Sequence, residues 1–276
     1  MLCLQDGIAI LPQAERSSVP MANAHAPRLP DFVVIGAQKA GTTSLHEALA
    51  QHPAVMLPAV KELHYFTLHS EQPLSWYAAH FADAQAGQLC GEATPYYLFH
   101  PAVAQRLARC LPDSRLIVLL RDPVARTLSH YFHAVRRGNE QLPLAEALAA
   151  EAARLADADA VLQRQGGVHR AHQQQSYLAR SRYEQQLPRF DAWRQRGRLL
   201  VLRSEDLFAE PAGTLAQVYA FLGLSNPDTT DLVLAKRNSG QGEAANVSTA
   251  ERQSLRAQLE PTYSWAASTL GLHWSC

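Results

Sequence analysis

Lys39 stands two residues before Gly41 in the stretch "DFVVIGAQKAGTTSLHEAL" (31–49), and three hydroxyl residues, Thr42, Thr43 and Ser44, follow directly. An ammonium, three hydroxyls and two glycines (Gly36 and Gly41) that allow close backbone approach are donors suited to a phosphate or a sulfate. A helix opening at Thr42 adds free first-turn amides and the positive end of its dipole. The bland alternative is an ordinary strand-to-helix turn, where glycine and threonine serve turn geometry alone. A Walker-type nucleotide loop, G-x-x-x-x-G-K-[ST], is not matched, because the lysine precedes the second glycine instead of following it.

A second anion cluster sits further along, where "RLIVLLRDP" runs into "VARTLSHYFHAVRRG". Arg121 ends the apolar run, and Ser129 lies two turns into the helix that Pro123 opens, so the two face the same end. The guanidinium offers a fork for a phosphate and the serine one hydroxyl. Its competing reading is a simple pairing of Arg121 with Asp122. For proton transfer the candidates are Glu62 and His64, two apart on a segment expected to be extended, and Glu92 at the end of an expected strand. Glu62 could equally be a surface carboxylate paired with Lys61. His130-x-x-His133 and His169-x-x-His172 invite a metal reading, but neither has cysteines nearby or an H-E-x-x-H pattern, and no metal is expected.

These residues need a frame, and the apolar pattern supplies one. Short apolar runs at 32–35, 54–57, 88–91, 115–120 and 199–202 alternate with helical patterns at 76–81, 101–110, 123–137, 183–195 and 211–222. That alternation predicts an α/β protein with a central parallel sheet covered on both faces, its ligand at the carboxyl ends of the strands. Residues 141–175 break the rhythm with an Ala-rich helix and a polar stretch, read as a surface insertion or a lid over an acceptor site.

The 276-residue length suits one domain over 30–276, preceded by a loose tail over 1–29 in which Met21 is a possible start. Twenty-five basic against 25 acidic residues give zero formal charge, which argues against nucleic-acid or membrane-surface binding and makes any anion site local. No window reaches the ~20 apolar residues of a membrane span. The four cysteines, Cys3, Cys90, Cys110 and Cys276, have no C-x-x-C spacing and fit free thiols in a reducing, cytoplasmic setting.

The paired motifs resemble those of sulfotransferases that use 3′-phosphoadenosine 5′-phosphosulfate (PAPS). "GAQKAGTTSL" is similar to their 5′-phosphosulfate loop and "RDPVARTLSHY" to their 3′-phosphate motif. "KELHYF" resembles the "KE-x-HFF" segment of the glycan branch, which includes the heparan sulfate enzymes, and "EATPYYLF" its "KSPAYF" segment. The late stretches "LLVLRSEDLFAEPAGTLAQVYAFLGL" and "YSWAASTLGLHW" are similar to those of bacterial members, so the resemblance spans 31–274. Two departures stand out: Ala93 falls where the branch has the lysine of "KSP", and Thr67 replaces the aspartate after "HFF".

The resemblance implies a three-layer α/β/α fold of the P-loop NTPase-like kind and a PAPS site made by Lys39, Ala40, Gly41, Thr42, Thr43, Ser44, Arg121 and Ser129. Lys236 and Arg237, in the loop "KRNSGQG", would close over the 3′-phosphate unless that loop is an ordinary surface turn. It also implies that Lys39 neutralises the leaving oxygen and that Glu62 takes the acceptor proton, with His64 as partner or as the base itself. The expected reaction is sulfuryl transfer to a hydroxyl or amine of a carbohydrate or other small metabolite, without metal. A P-loop kinase or NTPase, a sulfotransferase acting on peptide tyrosine, and a nucleotide binder without catalysis are the alternatives.

Overall fold

The protein is described by a computed structural model over residues 28–226 and 244–274. Five strands form one wholly parallel sheet in the order β2-β3-β1-β4-β5. They are β1 (Phe32–Gly36), β2 (Val55–Met56), β3 (Leu89–Ala93), β4 (Arg115–Leu120) and β5 (Leu199–Arg203). All five residues of β1 are buried, so both of its faces are covered, as expected when helical crossovers join parallel strands. Removing Val33, Val34 and Ile35 from water stabilises the fold by roughly 1.5–3 kcal/mol each.

The strand order explains where a ligand must bind. β3 lies on one side of β1 and β4 on the other, so the chain reverses its direction of winding at β1 and β4. The loops leaving these two strands diverge to opposite faces and open a crevice between them. Those loops carry Lys39 and Arg121.

Helix α1 (Thr42–Leu49) opens from Gly41, which has φ +94° and no side-chain cap, leaving the first amides of the helix without an internal acceptor. Helix α4 (Pro123–Arg136) starts differently. Asp122 accepts from the Ala125 amide at 2.7 Å, and Pro123 takes the first turn, where its missing N–H is no loss. The Tyr263 hydroxyl donates to the other Asp122 oxygen at 2.6 Å, tying the C-terminal helix Glu260–Trp265 to this corner.

Several expected boundaries move. The helix expected over 183–195 is two 3₁₀ turns, Tyr183–Gln185 and Leu187–Phe190, followed by the short helix Asp191–Gln195. Pro188 lacks the N–H that a continuous helix needs in its interior. The tail expected over 1–29 is shorter at its inner end: Arg28 donates to the Gln85 carbonyl at 2.9 Å, and Leu29 packs on the core.

The segment 141–175 carries three helices, α5 (Leu144–Arg154), α6 (Ala158–Leu162) and α7 (Arg170–Gln174). Far from floating on the surface, α5 sends the buried Glu151 carboxylate to accept from the amides of Leu178 and Ala179 at 2.8 and 2.7 Å. Among the described residues, no helix is long and apolar enough to cross a membrane.

Candidate active site

A cleft of about 950 Å³ opens at the carboxyl ends of β1 and β4. Lys39, Gly41, Thr42, Thr43, Ser44, Glu62, His64, Arg121 and Ser129 all line it. Ala40 does not: it is fully buried and packs beneath the loop. Lys236 and Arg237 lie outside the described residues.

The two anion motifs touch. Arg121 Nη1 donates to the Lys39 carbonyl at 3.1 Å, instead of pairing with Asp122, whose oxygens are taken by Ala125 and Tyr263. Glu205, at the start of helix α9 (Ser204–Ala209), accepts from the Asp122 amide at 3.0 Å, and Tyr183 donates to the Arg121 carbonyl at 2.9 Å. Arg121 is therefore held on its backbone from two sides. Gly36, which the sequence suggests for anion approach, instead makes room for a neighbour: a Cβ there would stand 2.8 Å from that of Leu98. Gly41 is the glycine that the anion loop requires, since its left-handed φ is costly for any side chain.

Among the described residues, three non-glycine residues have positive φ, namely Lys39 (73°), Glu62 (62°) and His64 (53°). These are the three residues that sequence reasoning marks as catalytic. Left-handed backbone costs a non-glycine residue about 1–3 kcal/mol and persists only where surrounding contacts over-determine it, as at functional sites. The segment around Glu62 is accordingly not the extended strand expected from its period-two spacing. The two side chains still meet, with His64 Nε2 3.6 Å from Glu62 Oε2.

Charge in the cleft is unbalanced. Burial, with Arg136 and Arg121 adding repulsion, lowers the Lys39 ammonium to about 8. Burial and the nearby Lys39 and Arg137 lower His133 to about 4, keeping that ring neutral. For Glu62, burial works upward, but the facing His64 ring and the Lys61 ammonium, 2.7 Å away, outweigh it and hold the carboxyl at about 2. A concave site rich in cations and poor in free carboxylates is built for a multiply charged anion.

Glu92, the other proton-transfer candidate, is excluded from the cleft by geometry. It is 2% exposed and accepts from Tyr77, Tyr97 and Thr94 at 2.5, 3.0 and 2.8 Å. Burial raises its carboxyl, and its three hydroxyl partners oppose that shift. The histidines of the two pairs sit in separate packing environments. His130 is buried against Tyr177, His169 caps α7 by accepting from the His172 amide, and His172 bonds the Tyr96 hydroxyl at 2.8 Å. Among the described residues no three His, Cys, Asp or Glu side chains converge on a common point.

The sequence missed Arg180, Phe208, Gln173 and Asn139, which also line the cleft. Arg180 is 2% exposed, donates to Gln38 and to the carbonyls of His172 and Gln173, and lies over the Tyr96 and Phe99 rings. It couples the anion loop to segment 141–175, which contributes Gln173 and Gln174 to the wall. Nothing local in "YLARSRY" signals this, because the partners are up to 142 positions away.

A parallel sheet with a cationic, glycine-turned loop at its switch point defines an α/β protein whose crevice lies at the carboxyl ends of its strands. The chain matches the model for the sulfotransferase domain over residues 29–254. It belongs to that family. It is 41% identical over 121 residues to the membrane-associated sulfotransferase kil1 of Dictyostelium discoideum, an alignment covering 42% of this chain and 26% of that protein. Similarity to mouse heparan sulfate glucosamine 3-O-sulfotransferase 3B1 is 31% over 221 residues, 77% of this chain and 52% of the relative. The chain thus spans from a quarter to about half the length of these curated relatives. A sulfotransferase from Alicyclobacillus acidocaldarius superposes with TM-score 0.71 at 27% identity, over 90% of this chain and 98% of that one.

Proposed function

We propose that this chain transfers the sulfuryl group of PAPS to a hydroxyl or amine acceptor, a carbohydrate or another small metabolite. The observation that carries the reading is the convergence of Lys39, Glu62 and His64, all with left-handed backbone, on the cleft that also holds Arg121 and Ser129. In this reading the amides and hydroxyls of Thr42, Thr43 and Ser44 hold the 5′-phosphate, while Arg121 and Ser129 hold the 3′-phosphate. Lys39 offsets charge as the bond from sulfur to the bridging oxygen breaks. The acceptor oxygen forms the new bond to sulfur, and its proton passes to Glu62. Positioning and electrostatics supply the rate, as in phosphoryl transfer.

Segment 141–175 is proposed to shape the acceptor side through Gln173 and Gln174, within a single domain over 30–276. A glycan acceptor is supported by the heparan sulfate relatives, and the absence of a lysine at Ala93 and of an aspartate at Thr67 points to an acceptor handled differently from theirs. A cytoplasmic setting belongs to this proposal, supported by the free thiols Cys90 and Cys110; because kil1 is membrane-associated, fractionation of the native protein is the check. The deciding experiment for the reaction is incubation of purified protein with radiolabelled PAPS and fractions of small metabolites, glycans and tyrosine peptides. Label transferred to a carbohydrate or small-metabolite fraction supports the reading. Transfer confined to peptide tyrosine, or hydrolysis of ATP without sulfuryl transfer, overturns it.

A further inference from the structure

Thr67, buried to 1% exposure, touches His64 twice. Its Oγ1 is 3.0 Å from His64 Nδ1 and 3.2 Å from the His64 carbonyl oxygen. A hydroxyl has one proton, so it serves one of these acceptors well. The carbonyl is already occupied: the amides of Thr67 and His69 donate to it at 3.0 and 3.1 Å, and a carbonyl oxygen has two lone pairs. Among the described residues Nδ1 meets no other hydrogen-bonding partner, and it lies at the shorter distance.

We infer that Thr67 is a positioning residue that sets the tautomer of His64: its hydroxyl donates to Nδ1, so the ring proton of the neutral imidazole resides on Nε2, facing Glu62. Nε2 lies 3.6 Å from Glu62 Oε2, just beyond hydrogen-bond distance, so the N–H faces the carboxylate and a small side-chain rotation would bring the two into contact. The rest of the residue is fixed to suit. The His64 amide reaches Thr94 Oγ1 at 3.4 Å, and the Thr94 hydroxyl spends its own proton on Glu92 Oε2 at 2.8 Å. Two threonines therefore hold one histidine, one by its backbone and one by its ring, and Lys61 holds Glu62 by its other oxygen, Oε1.

The consequence divides the labour between Glu62 and His64. With Nε2 protonated, the neutral ring is a donor toward the cleft and has no lone pair there for an acceptor proton, which leaves Glu62 to take it. A carboxylate at position 67 would reverse this. Being acceptor-only when ionised, it would draw the ring proton to Nδ1 and free Nε2 as a base. The functional consequence rests on the sulfuryl-transfer reading; the tautomer itself does not.

The test is ¹⁵N NMR of the ligand-free, full-length protein labelled at histidine nitrogens and held at alkaline pH, with the His64 signals assigned by their loss in His64→Ala. Nε2–H in the wild type supports the inference, and Nδ1–H overturns it. Thr67→Val is expected to abolish the single-tautomer spectrum and lower kcat about tenfold with the KM for PAPS unchanged. Thr67→Ser is expected to restore both, and Thr67→Val with wild-type kcat and spectrum overturns the inference. If Thr67→Val does not fold, the wild-type spectrum still decides. A chain that transfers no sulfuryl group yet shows Nε2–H refutes the proposed function and leaves the tautomer assignment standing.

Discussion

Arg121 Nη1 donates to the backbone carbonyl of Lys39 across 3.1 Å, joining the loop after β1 to the loop after β4. One guanidinium thus braces the anion loop from below while lining the cleft itself. The two motifs of the sequence are thereby in direct contact. Replacing Arg121 with Ala is expected to cost on the order of 2–5 kcal/mol of affinity for 3′,5′-bisphosphorylated adenosine, as for truncating one partner of a desolvated charge pair. Affinity for 5′-AMP should change far less. Calorimetry with both nucleotides checks this, and equal losses would remove Arg121 from the 3′-phosphate.

Lys39 gives a pH prediction whose sign can be worked out. Its ammonium is lowered to about 8 by burial and by neighbouring arginines, and a bound polyanion reverses the second cause. Its pKa therefore rises on binding, protons are taken up near pH 8, and affinity falls as pH increases through that region. Titrations in buffers of different ionisation enthalpy measure the uptake. Proton release, or no exchange, would contradict the placement of Lys39 beside the anion.

Glu62→Gln keeps the shape and removes the basicity. Turnover is expected to fall about 10²- to 10⁴-fold, with nucleotide affinity nearly unchanged, because the phosphate-binding groups stand on other loops. Single-turnover rates with any working acceptor make the measurement. Wild-type turnover would transfer the proton-accepting role away from Glu62.

Lys61→Gln probes the same carboxylate from its other side. The Lys61 ammonium is among the causes that hold Glu62 at about 2; removing it raises the carboxyl. In the variant the acid limb of the kcat/KM profile should move to higher pH, and at low pH activity should fall further than in the wild type. An unchanged acid limb would show that Lys61 leaves Glu62 in the working complex.

Metal chelation is expected to leave activity intact. The cations that P-loop kinases draw from Mg²⁺ are available here from Lys39, Arg121, Arg137 and Arg252, all facing the cleft. Loss of activity in EDTA, restored by magnesium or zinc, would count against the mechanism.

The loop between β1 and α1 was legible because its pattern is local. Strand, glycine, lysine and hydroxyls follow one another within 31–49, and Arg121 and Ser129 are only eight positions apart. Parallel strands were legible from the alternation of apolar runs with helical periods, and only Pro188 broke an expected helix. Glu92 was misplaced because one carboxylate at the end of a strand looks like another. Its three hydroxyl partners, on α2 (Leu74–Ala79) and in the turn after β3, come together only by packing.

Sequence alone thus determined which residue types stand at the strand ends and helix starts that line the cleft, since these are properties of neighbouring positions. Tertiary structure decided everything that depends on two distant segments meeting. It brought Arg180 under Gln38, walled the cleft with Gln173, and turned Lys39, Glu62 and His64 into left-handed backbone. It also set Thr67 against the His64 ring. The physical reason is that strained backbone and ring orientation are held by the sum of surrounding contacts, which no local pattern of residues encodes.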